Sequence, residues 1–228
     1  MNIALVIPAA GLGTRMNTEI PKQFIEVNNI PIIVRTIKLF DTIEKIDSIV
    51  LPVHTEWISY TKDLVEKFDC KKVKEITIGG RERQDSVYTG LNSEVVKDTD
   101  LVLIHDAVRP FASKKLINKL IEVADDCGAA IPIIKTSDSV KQIDNRELVL
   151  KTLDRNHIGL VQTPQAYWTS LAIEAYKKAA IANYYGSDTS SLVEFIGYKV
   201  KYVEGEVNNI KITSPLDLEL AAILTSNT

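Results

Sequence analysis

The N-terminal stretch IALVIPAAGLGTRM, residues 3–16, decides the fold class, because an apolar run leads directly into a loop that contains glycine. Residues 3–7 are all apolar, which is typical of a β-strand that helices cover on both faces. Small residues just after such a strand let the backbone approach a ligand closely, and open α/β sheets bind their ligands at this edge. The stretch therefore predicts a ligand-binding loop at the edge of a parallel sheet.

The same pattern recurs along the chain, where short apolar runs alternate with helical periodicity. Strands are predicted at residues 48–53, 73–78, 101–104, 129–134 and 199–204. Helices are predicted near residues 31–41, 55–68, 83–96, 113–127, 169–182, 188–197 and 215–224. This alternation indicates an α/β protein in which helices flank a mostly parallel sheet.

Residues 136–156 break this alternation, because polar and apolar residues alternate there on both sides of Asp144-Asn145-Arg146. Such a pattern predicts a half-exposed β-hairpin, an extended arm inserted in a parallel domain. The apolar face of this arm needs a cover. It packs either on its own domain or on a second subunit, and the pattern leaves both alternatives open.

The composition is that of an ordinary globular protein. The 228 residues carry a net charge of −3, which fits one domain and excludes a strongly basic nucleic-acid-binding protein. The two cysteines, Cys70 and Cys127, form no C-x-x-C motif, so neither a disulfide framework nor a cysteine zinc site is expected. No signal peptide is recognisable, and no apolar run reaches the roughly 20 residues of a membrane helix. We therefore expect a cytoplasmic protein whose partners include neither nucleic acid nor membrane.

The glycine loop after the first strand carries the first candidate chemistry. Its sequence GLGTRM lacks the third glycine of a dinucleotide fingerprint and the Gly-Lys-Ser/Thr of a P-loop. It offers backbone N–H groups and Arg15, and Lys22 follows in the sequence PKQF. Both cations could reach one polyphosphate, Arg15 as a planar fork and Lys22 as a mobile point charge. The alternative is a tight turn with two solvated cations.

Three later stretches also carry polar or charged residues that could contact a ligand. The sequence GGRERQDSV, residues 79–87, opens a helix, where backbone donors and the helix dipole favour polar ligand groups. The sequence HDAVRP, residues 105–110, follows a buried strand and offers a carboxylate and an arginine for metal-phosphate or hydroxyl contacts. His105 itself is interpreted as a buried core histidine. In NNIKIT, residues 208–213, Lys211 alternates with two isoleucines and so faces a cleft or water.

These motifs occur in a recognisable order. The series AAGxGxRM, PKQ, GGxxRxxSV, HDAxRP, DRN, TPQ and NIKIT resembles the 2-C-methyl-D-erythritol 4-phosphate cytidylyltransferase family over essentially the whole chain. The resemblance implies a Rossmann-like nucleotidyltransferase fold, with residues 1–228 as a single cytidylyltransferase domain. It also implies a homodimer, built through the β-arm at about 136–156 as a dimerisation insertion.

The resemblance further implies a reaction. CTP and 2-C-methyl-D-erythritol 4-phosphate would give the CDP-alcohol and pyrophosphate, with Mg²⁺ as cofactor, in non-mevalonate isoprenoid biosynthesis. Arg15 and Lys22 would stabilise the charge on the triphosphate, and Asp106 is the candidate metal ligand. Lys211 and Arg155, the latter reaching the neighbouring subunit's site, would hold the methylerythritol phosphate. The residues that the resemblance assigns to substrate binding are Pro8, Ala9, Ala10, Gly11, Leu12, Gly13, Gly80, Arg81, Ser86, Asp106, Ala107, Arg109, Thr163 and Ser187.

Two departures from the family pattern concern the alcohol. Ser139 replaces the threonine usual on the arm, and Ser187-Asp188-Thr189 stands where Thr-Asp and an acidic residue are common. One alternative is therefore a ribitol 5-phosphate cytidylyltransferase of teichoic acid synthesis, although the PAAG loop and the Asp154-Arg155-Asn156 motif favour methylerythritol. A second alternative is a catalytically silent nucleotide-binding scaffold. It predicts the loss of at least one of the four catalytic cations, and all four are present.

Overall fold

Eight strands form one sheet within residues 1–11 and 20–226, which are the residues that the computed structural model describes. The strands in this part of the chain are β1 (Ile3–Val6), β2 (Glu26–Val27), β3 (Ile30–Pro31), β4 (Ser48–Val53), β5 (Val73–Ile78), β6 (Leu101–Ile104), β7 (Ala129–Lys135), β8 (Val140–Ile143), β9 (Val149–Leu153), β10 (Gly159–Val161), β11 (Gln165–Trp168) and β12 (Lys201–Glu204). The helices there are α1 (Ile32–Asp41), α2 (Ile58–Lys67), α3 (Arg83–Leu91), α4 (Lys114–Cys127), α5 (Thr169–Ile181), α6 (Thr189–Phe195) and α7 (Pro215–Ser226). None of these described helices has the length and apolar content that crossing a bilayer requires.

The strand order places the predicted ligand loop at the centre of the sheet. The order runs β5-β4-β1-β6-β11-β7, and β7 also pairs with β10 and β12. Strands β1, β4, β5 and β6 are mutually parallel, whereas β11 runs antiparallel to β6 and β7. The prediction of a mostly parallel sheet flanked by helices is confirmed. Because β4 lies on one side of β1 and β6 on the other, the topological switch point is beside the carboxyl end of β1.

Helices cover both faces of the sheet, so the central strands are apolar on both sides. In β1 and the residue after it, Ile3, Leu5 and Ile7 pack against α1, α2 and α4. Ala4 and Val6 point to the other face and pack against α3, α5 and α6. Burying both sets removes the strand from water completely, which explains why it contains no polar residue.

The helix predicted over 83–96 is shorter in the structure, because α3 ends at Leu91. Gly90 and Asn92 are poor helix formers, and the Asn92 side chain donates a 2.8 Å hydrogen bond to the carbonyl oxygen of Tyr88. Val96 is nevertheless fully buried against the same core. The prediction was too long because apolar residues that pack on the sheet continue to Val96, although the helix itself ends at Leu91, just before Asn92.

Strand β11 is one of the strands that the sequence analysis did not predict, with β2, β3 and β10, and its polar residues explain why. Gln165 and Tyr167 are fully buried in it, and the Tyr167 hydroxyl donates a 2.9 Å hydrogen bond to Gln165 Oε1. The Gln165 amide in turn donates to the Asp188 carboxylate at 2.7 Å. A buried strand whose polar groups satisfy one another lacks the continuous apolar run that marks β1 or β6.

The predicted hairpin at 136–156 is confirmed as β8 and β9, which form a two-stranded sheet of their own. Asp144 shapes its turn, because Oδ1 accepts hydrogen bonds from the backbone N–H groups of Arg146 at 2.8 Å and Leu148 at 3.0 Å. Ile143 and Val149 are 66% and 62% exposed. These apolar side chains of the arm are therefore not covered by their own domain.

Candidate active site

The loops after β1, β5 and β6 enclose a cavity of about 420 Å³ at the switch point. It is lined by Pro8, Ala9, Ala10, Gly11, Lys22, Gln23, Gly80, Arg81, Glu82, Arg83, Ser86, Asp106, Ala107, Val108 and Lys211. We call it the first cavity. Its location agrees with the rule that open α/β sheets bind ligands beyond the carboxyl ends of their strands.

Close contact between two loops shapes the first cavity. A Cβ atom added to Gly79 would lie 2.4 Å from the Cβ of Ala10, so no other residue fits at position 79 without separating the loops. The backbone N–H groups of Ala9 and Gly79 donate hydrogen bonds to β4, to the carbonyl oxygens of Pro52 at 2.7 Å and Val53 at 2.8 Å. Strand β4 therefore aligns both loops.

Ser86 fixes the diglycine loop from the first turn of α3. Its hydroxyl oxygen accepts a 3.1 Å hydrogen bond from the Gly80 N–H and donates one of 3.1 Å to the Glu82 carbonyl. A capping box between Glu82 and Asp85 closes the same helix end. Ser86 lines the cavity, but its hydroxyl proton is already used in the hydrogen bond to the Glu82 carbonyl oxygen.

Lys22 enters the first cavity from a short 3₁₀ turn, Lys22–Phe24. The buried Phe24 ring anchors this turn, since it stacks on Trp57 with 4.8 Å between ring centroids and meets Tyr60 edge-on at 5.4 Å. Aromatic packing therefore holds the backbone that carries the Lys22 ammonium group.

Asp106 is the centre of a cluster of charges at the back of the cavity. Its Oδ1 lies 3.0 Å from Arg83 Nε, and its Oδ2 lies 2.9 Å from Lys211 Nζ and 3.4 Å from Arg109 Nε. Burial alone would raise the pKa of this carboxyl group, but Arg83, Lys211 and Arg109 outweigh burial and hold the pKa well below its usual range. Lys211 thus faces the cleft, where its side chain stays 38% exposed.

A second cavity of about 400 Å³ lies on the other side of this cluster. Arg83, Asp106 and Lys211 line both cavities, so the ion pairs form a shared wall. The second cavity is lined in addition by Arg109, Val161, Gln162, Thr163, Gln165, Ser187, Asp188, Ser190, Ser191 and Glu194. Two anionic ligands, one in each cavity, would therefore meet at the same cations.

The interpretation of His105 as a buried core histidine is confirmed. The ring is fully buried against Phe40, and Nε2 donates a 2.8 Å hydrogen bond to the Arg109 carbonyl, which can only accept. Nδ1 therefore accepts from the Thr163 hydroxyl at 3.1 Å, and Thr163 Oγ1 accepts from the Asp106 N–H at 3.0 Å. Burial lowers the pKa of His105 to about 4, so the neutral ring orients Thr163 and Arg109 in the second cavity.

This buried histidine predicts a loss of stability in acid. Between pH 6.5 and 4 the unfolded chain binds a proton at His105 that the folded chain does not bind, so the free energy of unfolding falls by about 3 kcal/mol as the pH drops through this window. We expect His105→Gln, which keeps a donor and an acceptor, to remove this slope in urea titrations at several pH values. His157→Gln, at an exposed histidine, should retain it. Equal slopes in wild type and His105→Gln would contradict the assignment.

Comparison with known proteins identifies the family. Residues 3–226 match the family model described as 2-C-methyl-D-erythritol 4-phosphate cytidylyltransferase. The chain belongs to this family. It is similar to the enzyme of that name from Geobacillus thermodenitrificans, with 44% identity over 99% of this chain and 98% of the relative. It is also similar to the one from Syntrophus aciditrophicus, with 43% identity over 96% and 94% of the two chains.

Solved structures agree with this membership of the cytidylyltransferase family. The 4-diphosphocytidyl-2C-methyl-D-erythritol synthase of Anaerococcus prevotii superposes with a TM-score of 0.86, at 34% identity over 99% of this chain and 96% of that one. The 2-C-methyl-D-erythritol 4-phosphate cytidylyltransferase of Thermus thermophilus gives 0.82, at 31% identity over 99% and 100%. The resemblance and the nucleotidyltransferase fold expected from the motifs are confirmed. The ribitol and silent-scaffold alternatives are not favoured.

The structure brings most of the predicted cytidylyltransferase site residues to the two cavities. Pro8 to Gly11, Lys22, Gly80, Arg81, Ser86, Asp106, Ala107 and Lys211 line the first, and Arg109, Thr163 and Ser187 line the second. Arg155 lines neither cavity of its own chain; it is exposed near the arm, where its guanidinium donates to the Ser137 carbonyl. Leu12, Gly13 and Arg15 lie outside the described residues.

Three residues of the cavities were missed although each is a named letter of a quoted motif: Gln23, Arg83 and, in TPQ, Gln165. Arg83 is the arginine of GGxxRxxSV and lies at the shared wall, whereas the predicted Arg81 is exposed at the rim. Gln23 is the glutamine of PKQ and is 3% exposed. A polar residue inside a motif is the signal that would have identified all three.

The candidate metal ligand, Asp106, has no cluster of further metal-ligating side chains around it in the described part of the chain. Among residues 1–11 and 20–226, no three histidine, cysteine or acidic side chains cluster as metal ligands. Both carboxylate oxygens of Asp106 already contact cationic side chains, so a metal bound there would displace an ion pair. Coordination by Asp106 stays a prediction.

Proposed function

We propose that this chain transfers the cytidylyl group of CTP to 2-C-methyl-D-erythritol 4-phosphate, giving the CDP-alcohol and pyrophosphate in non-mevalonate isoprenoid biosynthesis. The observation that carries the proposal is the shared wall of Arg83, Asp106 and Lys211 between two adjacent cavities, in a chain of this family. CTP occupies the first cavity, between the loop after β1 and the start of α3. The alcohol phosphate occupies the second.

The reaction needs little covalent chemistry from the protein. An oxygen of the alcohol phosphate attacks the α-phosphorus of CTP in line, and the bond from that phosphorus to the bridging oxygen breaks as pyrophosphate leaves. Positioning and charge stabilisation then provide the catalysis. Lys211 is placed at the boundary, 2.9 Å from Asp106, from where its ammonium group can contact the phosphates of both substrates.

Mg²⁺ enters this proposal with the nucleotide. A triphosphate chelates Mg²⁺ through its own oxygens, and the metal then needs few protein ligands. Binding of Mg²⁺ by the nucleotide suits this site, because the Asp106 carboxylate already forms ion pairs with three cationic side chains. Residues of the chain therefore bind the nucleotide–metal complex mainly through positive charge and backbone N–H groups.

The two free thiols, Cys70 and Cys127, suit a reducing compartment, and we propose a cytoplasmic location.

We also propose a homodimer built through the arm, β8–β9. Exposed apolar side chains on the arm and on β10, with Leu148 56% and Leu160 51% exposed, support a covered face in the assembly. Arg155 follows the arm and lines neither cavity of its own chain. Our proposal places its guanidinium in the partner's second cavity, against the alcohol phosphate.

Mixed dimers test whether Arg155 acts in the partner's site. We expect Arg155→Ala and Lys211→Ala to be nearly inactive alone. Equimolar subunit exchange should restore about a quarter of the wild-type activity, because half of the dimers are mixed and each holds one intact site. Pyrophosphate release measures the recovery. No recovery, with exchange verified by native mass spectrometry, would place Arg155 in its own chain's site or outside catalysis.

An acceptor assay tests the proposed function itself. Pyrophosphate release is followed with CTP and either 2-C-methyl-D-erythritol 4-phosphate or ribitol 5-phosphate, and the mass of the CDP-alcohol is recorded. We expect efficient release with the methylerythritol substrate. Release with ribitol 5-phosphate alone would support the alternative acceptor, and no release with either would contradict the proposal.

A further inference from the structure

Gln23 is buried between two residues whose tasks are clear. Lys22 on one side lines the first cavity, and Phe24 on the other anchors the turn. Gln23 is 3% exposed, and its amide nitrogen, Nε2, donates hydrogen bonds to the carbonyl oxygens of Ala9 at 2.7 Å and Gly11 at 3.0 Å. One side chain therefore joins the turn that carries Lys22 to the loop after β1.

These two hydrogen bonds use both protons of the Nε2 amide group. They also fix the peptide planes of the loop, since the N–H of a trans peptide points opposite to its C=O. Holding the Ala9 carbonyl thus sets the direction of the Ala10 N–H, a backbone donor in a loop that lines the first cavity. The loop and the Lys22 ammonium group then keep a constant relative position.

We propose that Gln23 is a positioning residue for the triphosphate of CTP: its amide couples the Lys22 turn to the loop of residues 8–11. The inference rests on the proposed function and adds a residue to it. Gln23 acts through Lys22 and the loop backbone. Its effect should therefore fall on CTP and not on the alcohol, which binds in the second cavity.

An amide meets the demand of two carbonyl acceptors at this position, and a carboxyl group of the same size does not. A glutamate of the same size has no proton to donate when ionised, and its charge faces both carbonyl oxygens. When protonated, it donates one hydrogen bond. Because burial and the two carbonyl oxygens both disfavour the ionised form, the pKa of a glutamate here should rise above its usual 4.3 or so.

The decisive experiment compares Gln23→Glu with wild type from pH 6 to pH 8.5, measuring kcat and KM for each substrate by pyrophosphate release. We expect kcat/KM for CTP to fall about 10²-fold at pH 8, the cost of a misplacement of about 1 Å, and to recover partly toward pH 6 as the new carboxyl group protonates. The KM for the alcohol phosphate should stay within about twofold of wild type, because the substitution does not misplace groups of the second cavity.

Two further variants make the result specific. Asn118→Asp makes the same amide-to-carboxylate change on α4, outside both cavities, and should match wild type at every pH. Gln23→Leu fills the space but donates no hydrogen bond, so its loss should not depend on pH. An unchanged kcat/KM for CTP in Gln23→Glu, or a loss that does not recover toward pH 6 and is accompanied by a raised KM for the alcohol phosphate, would overturn the proposal.

Direct binding separates this inference from the proposed function. If wild type released no pyrophosphate with either acceptor, the reaction assignment would fail, but calorimetric titration with CTP would still compare the two proteins. We expect Gln23→Glu to bind CTP more weakly than wild type at pH 8 and to approach it at pH 6. Equal affinity at both pH values would contradict the positioning role.

Discussion

Replacing Lys22 with alanine is expected to lower kcat by about 10²–10³-fold, or roughly 3–4 kcal/mol of transition-state stabilisation, while the fold survives. The ammonium group lies in the first cavity, where charge builds on the triphosphate as the α-phosphorus is attacked. The turn itself depends on the Phe24 ring and the Gln23 amide, neither of which is altered.

The measurement is pyrophosphate release at saturating CTP, paired with the urea midpoint of each protein. Lys62→Ala, at an exposed lysine on α2, is the matched control and should leave kcat unchanged. A wild-type kcat in Lys22→Ala would remove this lysine from the mechanism. A large shift of the urea midpoint would instead assign it a structural role.

Replacing Asp106 with asparagine is expected to destabilise the protein by about 3–5 kcal/mol at neutral pH, because three cations lose their common buried counter-charge. Arg83, Arg109 and Lys211 would then repel one another around a neutral amide. Activity should fall as well, since the same carboxylate orients Lys211 at the boundary between the substrates.

The pH dependence of this second effect has a definite sign. The three cations hold the pKa of Asp106 well below its usual value, so the stability it contributes is present above about pH 4 and is lost as the pH falls through more acid values. The stability gap between wild type and Asp106→Asn should therefore be widest near neutrality and narrow below about pH 4. His105 changes the free energy of unfolding in a different pH window, above pH 4.

Urea titrations at several pH values measure this gap. Asp63→Asn, at an exposed carboxylate on α2, serves as the control and should change stability by less than about 0.5 kcal/mol. Inorganic pyrophosphate should restore part of the stability of Asp106→Asn, because an anion can replace the lost charge. A variant as stable as wild type at neutral pH would contradict the counter-charge role.

The parts of the fold that could be predicted are those in which local pattern and burial agree. Strands β1, β4 and β6 are buried on both faces, so an apolar run marks each of them. The arm was recognisable because its alternation matches an exposed hairpin. Strand β11 was missed because Gln165 and Tyr167 satisfy each other inside the core, and no local pattern shows such a pairing.

The candidate site was predictable as a set of loops but not as a set of contacts. Arg81 and Arg83 stand two positions apart in one motif, and local sequence does not tell which of them turns inward. The structure shows Arg83 at 3.0 Å from Asp106, and Arg81 at the exposed rim. The buried Gln23 was likewise hidden in a short motif whose lysine draws more attention.

Sequence alone was sufficient to order the charged loops along the chain, to place three of them after predicted strands, and to reveal the family. Only the tertiary structure decided that Asp106 gathers Arg83, Arg109 and Lys211 into a wall between two cavities. The physical reason is distance along the chain. Arg83 and Lys211 approach one carboxylate because the sheet order brings their loops to the same edge, and a periodicity of two or 3.6 residues carries no information about contacts over such separations.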